Sequence, residues 1–165
     1  MNTNLKFDFS VNKETYTVHV KRAFAANLAT VWKAWTTAEI LDQWWAPKPY
    51  RAETKVLDFK VGGEWRYATV SPEGVKHWCN AVYESINPEH NYAYTDAFTD
   101  ENGNITDVFP GSHWTNTFTN EGDTTLVNIV IKHNNLADLE QIIEMGFKEG
   151  FTAGLNNLDE VLASR

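Results

Sequence analysis

From Arg51 to Lys132 the chain reads almost wholly in period two, and after Asn134-Asn135 it turns helical and stays so to about Leu162. Strands gathered in one block and helices in another exclude the strand–helix alternation of a parallel sheet. They predict an α+β fold, with helices set against an antiparallel meander. The expected strands are Arg51–Phe59, closed by Gly62-Gly63, then Glu64–Val70, Val75–Ile86, Asn91–Thr99, Ser112–Asn120 and Thr124–Lys132. Their connections are Pro72-Glu73-Gly74, Asn87-Pro88-Glu89, a long polar loop over 100–111 and the hairpin turn Glu121-Gly122-Asp123. Ahead of the meander, Thr15 to Phe24 alternates and is rich in β-branched residues, so it reads as one more strand. Residues 1–14 read as an N-terminal extension or extra edge strand, and 15–165 as a single domain.

Four of the seven tryptophans, Trp32, Trp35, Trp44 and Trp45, lie between Val31 and Pro47. Asn27 is placed to cap a short helix through Val31, Trp32 and Trp35. Thr36 and Glu39 have the spacing of a capping box for a second helix through Ile40, Leu41 and Trp44, ended by Pro47 and Pro49. So much indole in so short a stretch must cover a core or the mouth of a pocket.

The final helix is expected to run about 27 residues, roughly 40 Å at 1.5 Å per residue, enough to cross a whole sheet. Phe147, Phe151, Leu155, Leu158 and Leu162 form one stripe, and Gly146, Gly150 and Gly154 form its neighbour. Each glycine costs about 1 kcal/mol against alanine inside a helix. Three in register point to a close backbone approach, to the border of a space, or to both along one helix.

Lys+Arg number 14 against 22 Asp+Glu, a net charge of −8 with no basic cluster. That disfavours nucleic acid and anionic membranes as partners. No segment is apolar enough for membrane insertion or a secretory leader, and the single cysteine, Cys79, allows no internal disulfide. The expected location is cytoplasmic.

No phosphate loop, dinucleotide fingerprint or Gly-x-Ser-x-Gly is present, so no cofactor is expected. His77 and Cys79 make only half of a metal site, and Cys79 reads as an inert buried thiol. His113, Glu64, Glu84, Asp58 and Asp96 are the candidate acids and bases, without a pair whose spacing demands chemistry. His113 is the catalytic candidate if there is one. Alternation puts Trp65 with Tyr67, His77 with Cys79 and Ala81, and Tyr92 with Tyr94, Asp96 and Phe98 on shared faces; His113 opposes Trp114. Both faces of several strands carry bulky residues, which leaves the inward face open.

Three patterns then coincide in order. They are Val31-Trp32-Lys33-Ala34-Trp35-Thr36 running on to Trp44-Trp45-Ala46-Pro47, Gly62-Gly63-Glu64-Trp65-Arg66-Tyr67, and Gly150-Phe151 with Leu155, Asn157, Leu158 and Leu162. Over roughly 15–163 this set resembles the family named for the C-terminal domain of the activator of Hsp90 ATPase, within the START-like, Bet v 1-like helix-grip superfamily. Phe151 departs from the tryptophan that members often carry there. The resemblance implies a curved antiparallel sheet of 6–7 strands gripping the long C-terminal helix, two short helices after the first strand, and an apolar cavity between sheet and helix. It implies no single activity. The name-giving activator uses a separate N-terminal domain for which this chain has no room, which argues against Hsp90 activation.

The expectation is therefore a binder of a small hydrophobic molecule, leaning away from an enzyme. The pocket walls are expected to come from Trp35, Trp44, Trp65, Tyr67, Trp78, Tyr94, His113, Trp114, Met145 and Phe147. A cofactor-independent cyclase or hydrolase using the same cavity, and a chaperone-stimulating interaction module, stand as alternatives. Homodimerisation is left open.

Overall fold

A computed structural model describes residues 5–106 and 111–164. Eight strands form one antiparallel sheet: β1 (Phe7–Asn12), β2 (Thr17–Phe24), β3 (Arg51–Leu57), β4 (Glu64–Val70), β5 (Lys76–Asn87), β6 (Asn91–Thr99), β7 (Ser112–Glu121) and β8 (Thr124–Lys132). Their spatial order is β1-β2-β8-β7-β6-β5-β4-β3. Helices α1 (Leu28–Thr36) and α2 (Ala38–Trp44) follow β2, and α3 (Leu136–Glu144) and α4 (Phe147–Ala163) close the chain. This is the expected α+β, helix-gripping arrangement, with eight strands rather than six or seven. The eighth is β1, which pairs with β2 along one edge. Residues 107–110 of the loop expected over 100–111 lie outside the described residues, as do 1–4 and 165.

The inner face of the sheet is now fixed. Val18 and Val20, Trp65 and Tyr67, Cys79, Ala81 and Tyr83, Tyr92 and Tyr94, Trp114 and Phe118, and Val127, Ile129 and Ile131 are all buried in one core with α1, α2 and α4. Rings fill it by contact in series: Phe118 stacks on Tyr92, Tyr92 on Tyr94, and Tyr94 on Trp114, with centroids 5.6–6.0 Å apart.

Asn27 caps α1 as expected, its side-chain oxygen accepting from the Thr30 N–H at 2.8 Å. The expected capping box at Thr36 does not form. Thr36 is still the last residue of α1 and donates its hydroxyl to the Trp32 carbonyl, so Thr37 becomes the cap of α2, with no side-chain bond.

The final helix is not one run of about 27 residues. It breaks at Met145-Gly146, where the Gly146 φ of +91° ends α3 and starts α4. The three glycines of the stripe thus serve different ends. Gly146 makes the break, which a side chain would strain. At Gly154 an added Cβ would lie 3.1 Å from the Trp45 carbonyl oxygen and 3.2 Å from that of Trp44, so α4 passes against the end of α2. Asn157 reinforces that approach by donating to the Ala46 carbonyl at 3.0 Å. Gly150 has room, its nearest neighbour being Pro47 Cγ at 3.9 Å.

Gly146→Ala is expected to lose about 1–2 kcal/mol to left-handed strain. Gly150→Ala is expected to gain up to about 1 kcal/mol of helix propensity. Urea unfolding of the two variants against the parent checks the opposite signs.

Candidate functional site

The ring-filled core stops short of the N-terminal half of α4. There a cavity of about 230 Å³ opens between the sheet and the helix. Its floor is Tyr67 and Thr69 from β4, Cys79 from β5, Asp96 and Phe98 from β6, and Trp114 from β7. Its roof is Phe147, Gly150 and Phe151 from α4, and its side is Trp45-Ala46-Pro47 from the end of α2. Half of these wall residues are aromatic. Trp45, half-buried, holds its ring 5.1 Å from Trp65, 5.8 Å from Trp114 and 6.1 Å from Phe151, while Phe147 and Phe151 stack at 5.3 Å.

Asp96 is the only carboxylate that the described residues place in these walls. Its Oδ1 is shut off from solvent and has no hydrogen-bond partner among the described residues. Burial pushes its pKa up to about 7, and the backbone N–H of Ala97 pulls partly the other way. Burial first, and then the charge of Asp96, raises the Tyr67 phenol and the Cys79 thiol, so both stay protonated at neutral pH. A thiol held protonated is a weak nucleophile. The ionisable chemistry of this cavity therefore rests on one carboxyl that can give or take a proton near neutrality.

A second cavity, of about 80 Å³, shares Asp96, Phe98, Trp114 and Phe147 with the first. Its other walls include Ser112, Ile131, His133 and Ile142. His133 is buried, and neither ring nitrogen has a partner among the described residues. Burial lowers its pKa, against a smaller opposing pull from Asp138.

Of the residues expected to wall a pocket, Tyr67, Trp114 and Phe147 line the larger cavity. Trp35, Trp44, Trp65 and Tyr94 lie beneath it as packed core. Trp65 stacks on Tyr67 at 4.1 Å and donates its indole N–H to Thr54 Oγ1. Three residues need correction. Alternation puts His113 on the face opposite Trp114, where it pairs with Glu84 Oε1 at 2.7 Å and stays 45% exposed, away from either cavity. Trp78 opposes Cys79 on the same outer face, with Lys55 and Lys76 each 5.8 Å from its ring. Met145, at the break between α3 and α4, is 47% exposed and lines neither cavity. The other candidate acids are surface groups too: Glu64 pairs with Arg66, and Asp58 with Lys60. His77 is exposed on β5.

Residues 25–163 match the family described as "Activator of Hsp90 ATPase homolog 1-like protein". The chain belongs to that family. No protein of curated function matches it in sequence. Its fold is shared with protein Ms6760 from Mycobacterium smegmatis, at 25% identity over 96% of each chain and a TM-score of 0.87. An Arthrobacter aurescens protein is similar at 24% identity over 96% of this chain and 92% of its own, with a TM-score of 0.90. The AHSA1 protein from Silicibacter pomeroyi aligns at 21% identity over 89% of this chain and 97% of its own, with a TM-score of 0.68. Among the described residues of this family member, no helix is long and apolar enough to cross a membrane.

The expected wall residues leave out Trp45, Phe98, Phe151 and Asp96, all of which line the larger cavity, and sequence reasoning passed over His133 altogether. One pattern did point to Asp96: it stands in register with Tyr92, Tyr94 and Phe98, a lone carboxylate in a row of rings.

Proposed function

We propose that this domain binds a small, largely apolar molecule in the cavity between β4–β7 and α4. The observation that carries the reading is the space of about 230 Å³, half of its lining residues aromatic, beside a core packed with aromatic and aliphatic side chains. A dry apolar cavity of about 150 Å³ is enough to hold benzene, so two fused rings fit here. The walls come from α4, the segment that follows α2 and four strands, so the space is built by the whole fold rather than by one loop. The fold that the family shares supports a ligand-binding helix-grip domain, and the ligand is named here only by its class.

Naphthalene is the test probe. Added to 15N-labelled protein, it is expected to shift the indole N–H resonances of Trp45 and Trp114 and to leave that of Trp78 in place. Gly150→Leu, whose Cβ would already touch Pro47 Cγ at 3.9 Å and whose branch would enter the roof, is expected to weaken those shifts at least about tenfold, a loss of about 1.4 kcal/mol. Absence of any shift in the parent protein would overturn the reading.

A second reading draws on Asp96. A carboxyl near pH 7 beside an apolar space is the group that a cofactor-independent cyclase or hydrolase needs as general acid–base. Turnover of a bound ligand that Asp96→Asn abolishes would establish it. An interaction module is favoured less, because it has no use for an unfilled interior.

A further inference from the structure

We infer that Asp96 and His133 form a polar subsite that takes the hydroxyl group of an otherwise apolar ligand. The inference rests on the apolar-binding reading above and adds the ligand's one polar group. Three buried polar atoms with no partner among the described residues, Asp96 Oδ1 and both ring nitrogens of His133, belong to residues that wall the same 80 Å³ cavity. An unmade hydrogen bond on a buried group costs about 1–3 kcal/mol, so such a cluster is not a neutral feature of a core. Sequence-distant elements build it: Asp96 stands on β6, and His133 directly follows β8, where its backbone N–H bonds the Tyr16 carbonyl at 2.9 Å. Ser112 Oγ, also in the wall, already accepts from the Trp114 indole at 2.9 Å.

The hydrogen-bonding inventory selects the ligand group. A neutral imidazole offers one N–H donor and one acceptor nitrogen, and Asp96 Oδ1 accepts. A hydroxyl satisfies both residues at once: it donates to Asp96 Oδ1 and accepts from the His133 N–H. A carboxylate would face Asp96 with like charge, and an ammonium, which only donates, would leave the His133 N–H without an acceptor. The size agrees. The smaller cavity holds a polar head and no second ring system, while the larger one, which shares Phe98, Trp114 and Phe147 with it, holds the rings.

The test compares three probes built on one ring system by titration of the tryptophan indole resonances: naphthalene, 1-naphthol and 1-naphthylmethylamine, the last as its ammonium. The expected order puts 1-naphthol about tenfold tighter than naphthalene, as two well-made hydrogen bonds warrant, and the ammonium weakest. In Asp96→Leu and in His133→Phe the ratio of naphthol to naphthalene affinity is expected to fall to about one. Equal binding of naphthol and naphthalene by the parent protein overturns the subsite and leaves apolar binding standing. Tightest binding of the ammonium overturns the hydroxyl assignment. Failure of all three probes to bind overturns the subsite together with the apolar reading.

Discussion

The Asp96→Asn variant is expected to be more stable than its parent by up to about 4 kcal/mol at pH 8, and to have no advantage at pH 4. The folded-state pKa of Asp96 stands near 7 against an ordinary 3.8, and each unit of difference is worth about 1.4 kcal/mol. Between those two values the folded chain binds the proton that the unfolded chain releases, so folding stability falls as pH rises. Above pH 7 both states are ionised and the whole cost of the buried charge is felt. An amide carries no charge to desolvate, so it removes that loss.

The groups around Asp96 do not confuse the sign. Tyr67 and Cys79 stay protonated through this window, and the burial-depressed His133 adds no positive charge near neutrality. Of the helical residues in the two cavity walls, Ile142, Phe147, Gly150 and Phe151, none titrates. Melting curves of both proteins from pH 4 to 8 check it. At about 2–4 °C per kcal/mol for a chain of this size, the variant should gain close to 10 °C at the alkaline end. A constant difference across the range would show that the carboxyl is not held against its charge. A residue that weakens its own fold at working pH is a common mark of a site kept for function.

Trp44→Ala should lower stability by about 3–5 kcal/mol, the range for truncating a buried ring when the surroundings cannot collapse. Trp44 is 1% exposed, packs 4.7 Å from Trp35 and 5.3 Å from Trp45, and donates its indole N–H to the Ala34 carbonyl at 3.0 Å. Collapse is blocked because Gly154 already presses α4 against the Trp44 and Trp45 carbonyls. The same change should loosen Trp45, one wall of the larger cavity, and weaken naphthalene binding beyond what the stability loss alone predicts. Urea unfolding followed by probe titration separates the two effects. A loss under 1 kcal/mol would mean that α2 repacks freely.

The order of elements was legible because period and punctuation agree locally. Asn27, the Glu121-Gly122-Asp123 turn and the strand limits at Glu64–Val70 and Thr124–Lys132 are set by neighbours in sequence. The break at Met145-Gly146 was hidden because glycine every fourth residue reads equally as a packing stripe, and only the φ at Gly146 sets it apart. The candidate site was half legible. Tyr67, Trp114 and Phe147 carried the aromatic signal, but so did Trp78, which pays no heed to the cavity and covers the outer face under two lysines. His113 drew attention as an imidazole, while the buried imidazole is His133, one residue past a strand where period-two reading stops. Depth within a sheet depends on which face meets α4, and that is decided by strands far apart in the chain.

The joint at Met145-Gly146 also has a kinetic meaning. Helix α4 buries Phe151, Leu155, Leu158 and Leu162, together with Gly154 and Asn157, whereas α3 buries Leu139 alone. A fluctuation that frees α3 exposes far less apolar surface than one that frees α4, and its free energy is correspondingly lower. Ile142 of α3 is part of the small cavity's wall, so a local opening of α3 uncovers that wall at a lower free-energy cost than unfolding the whole domain.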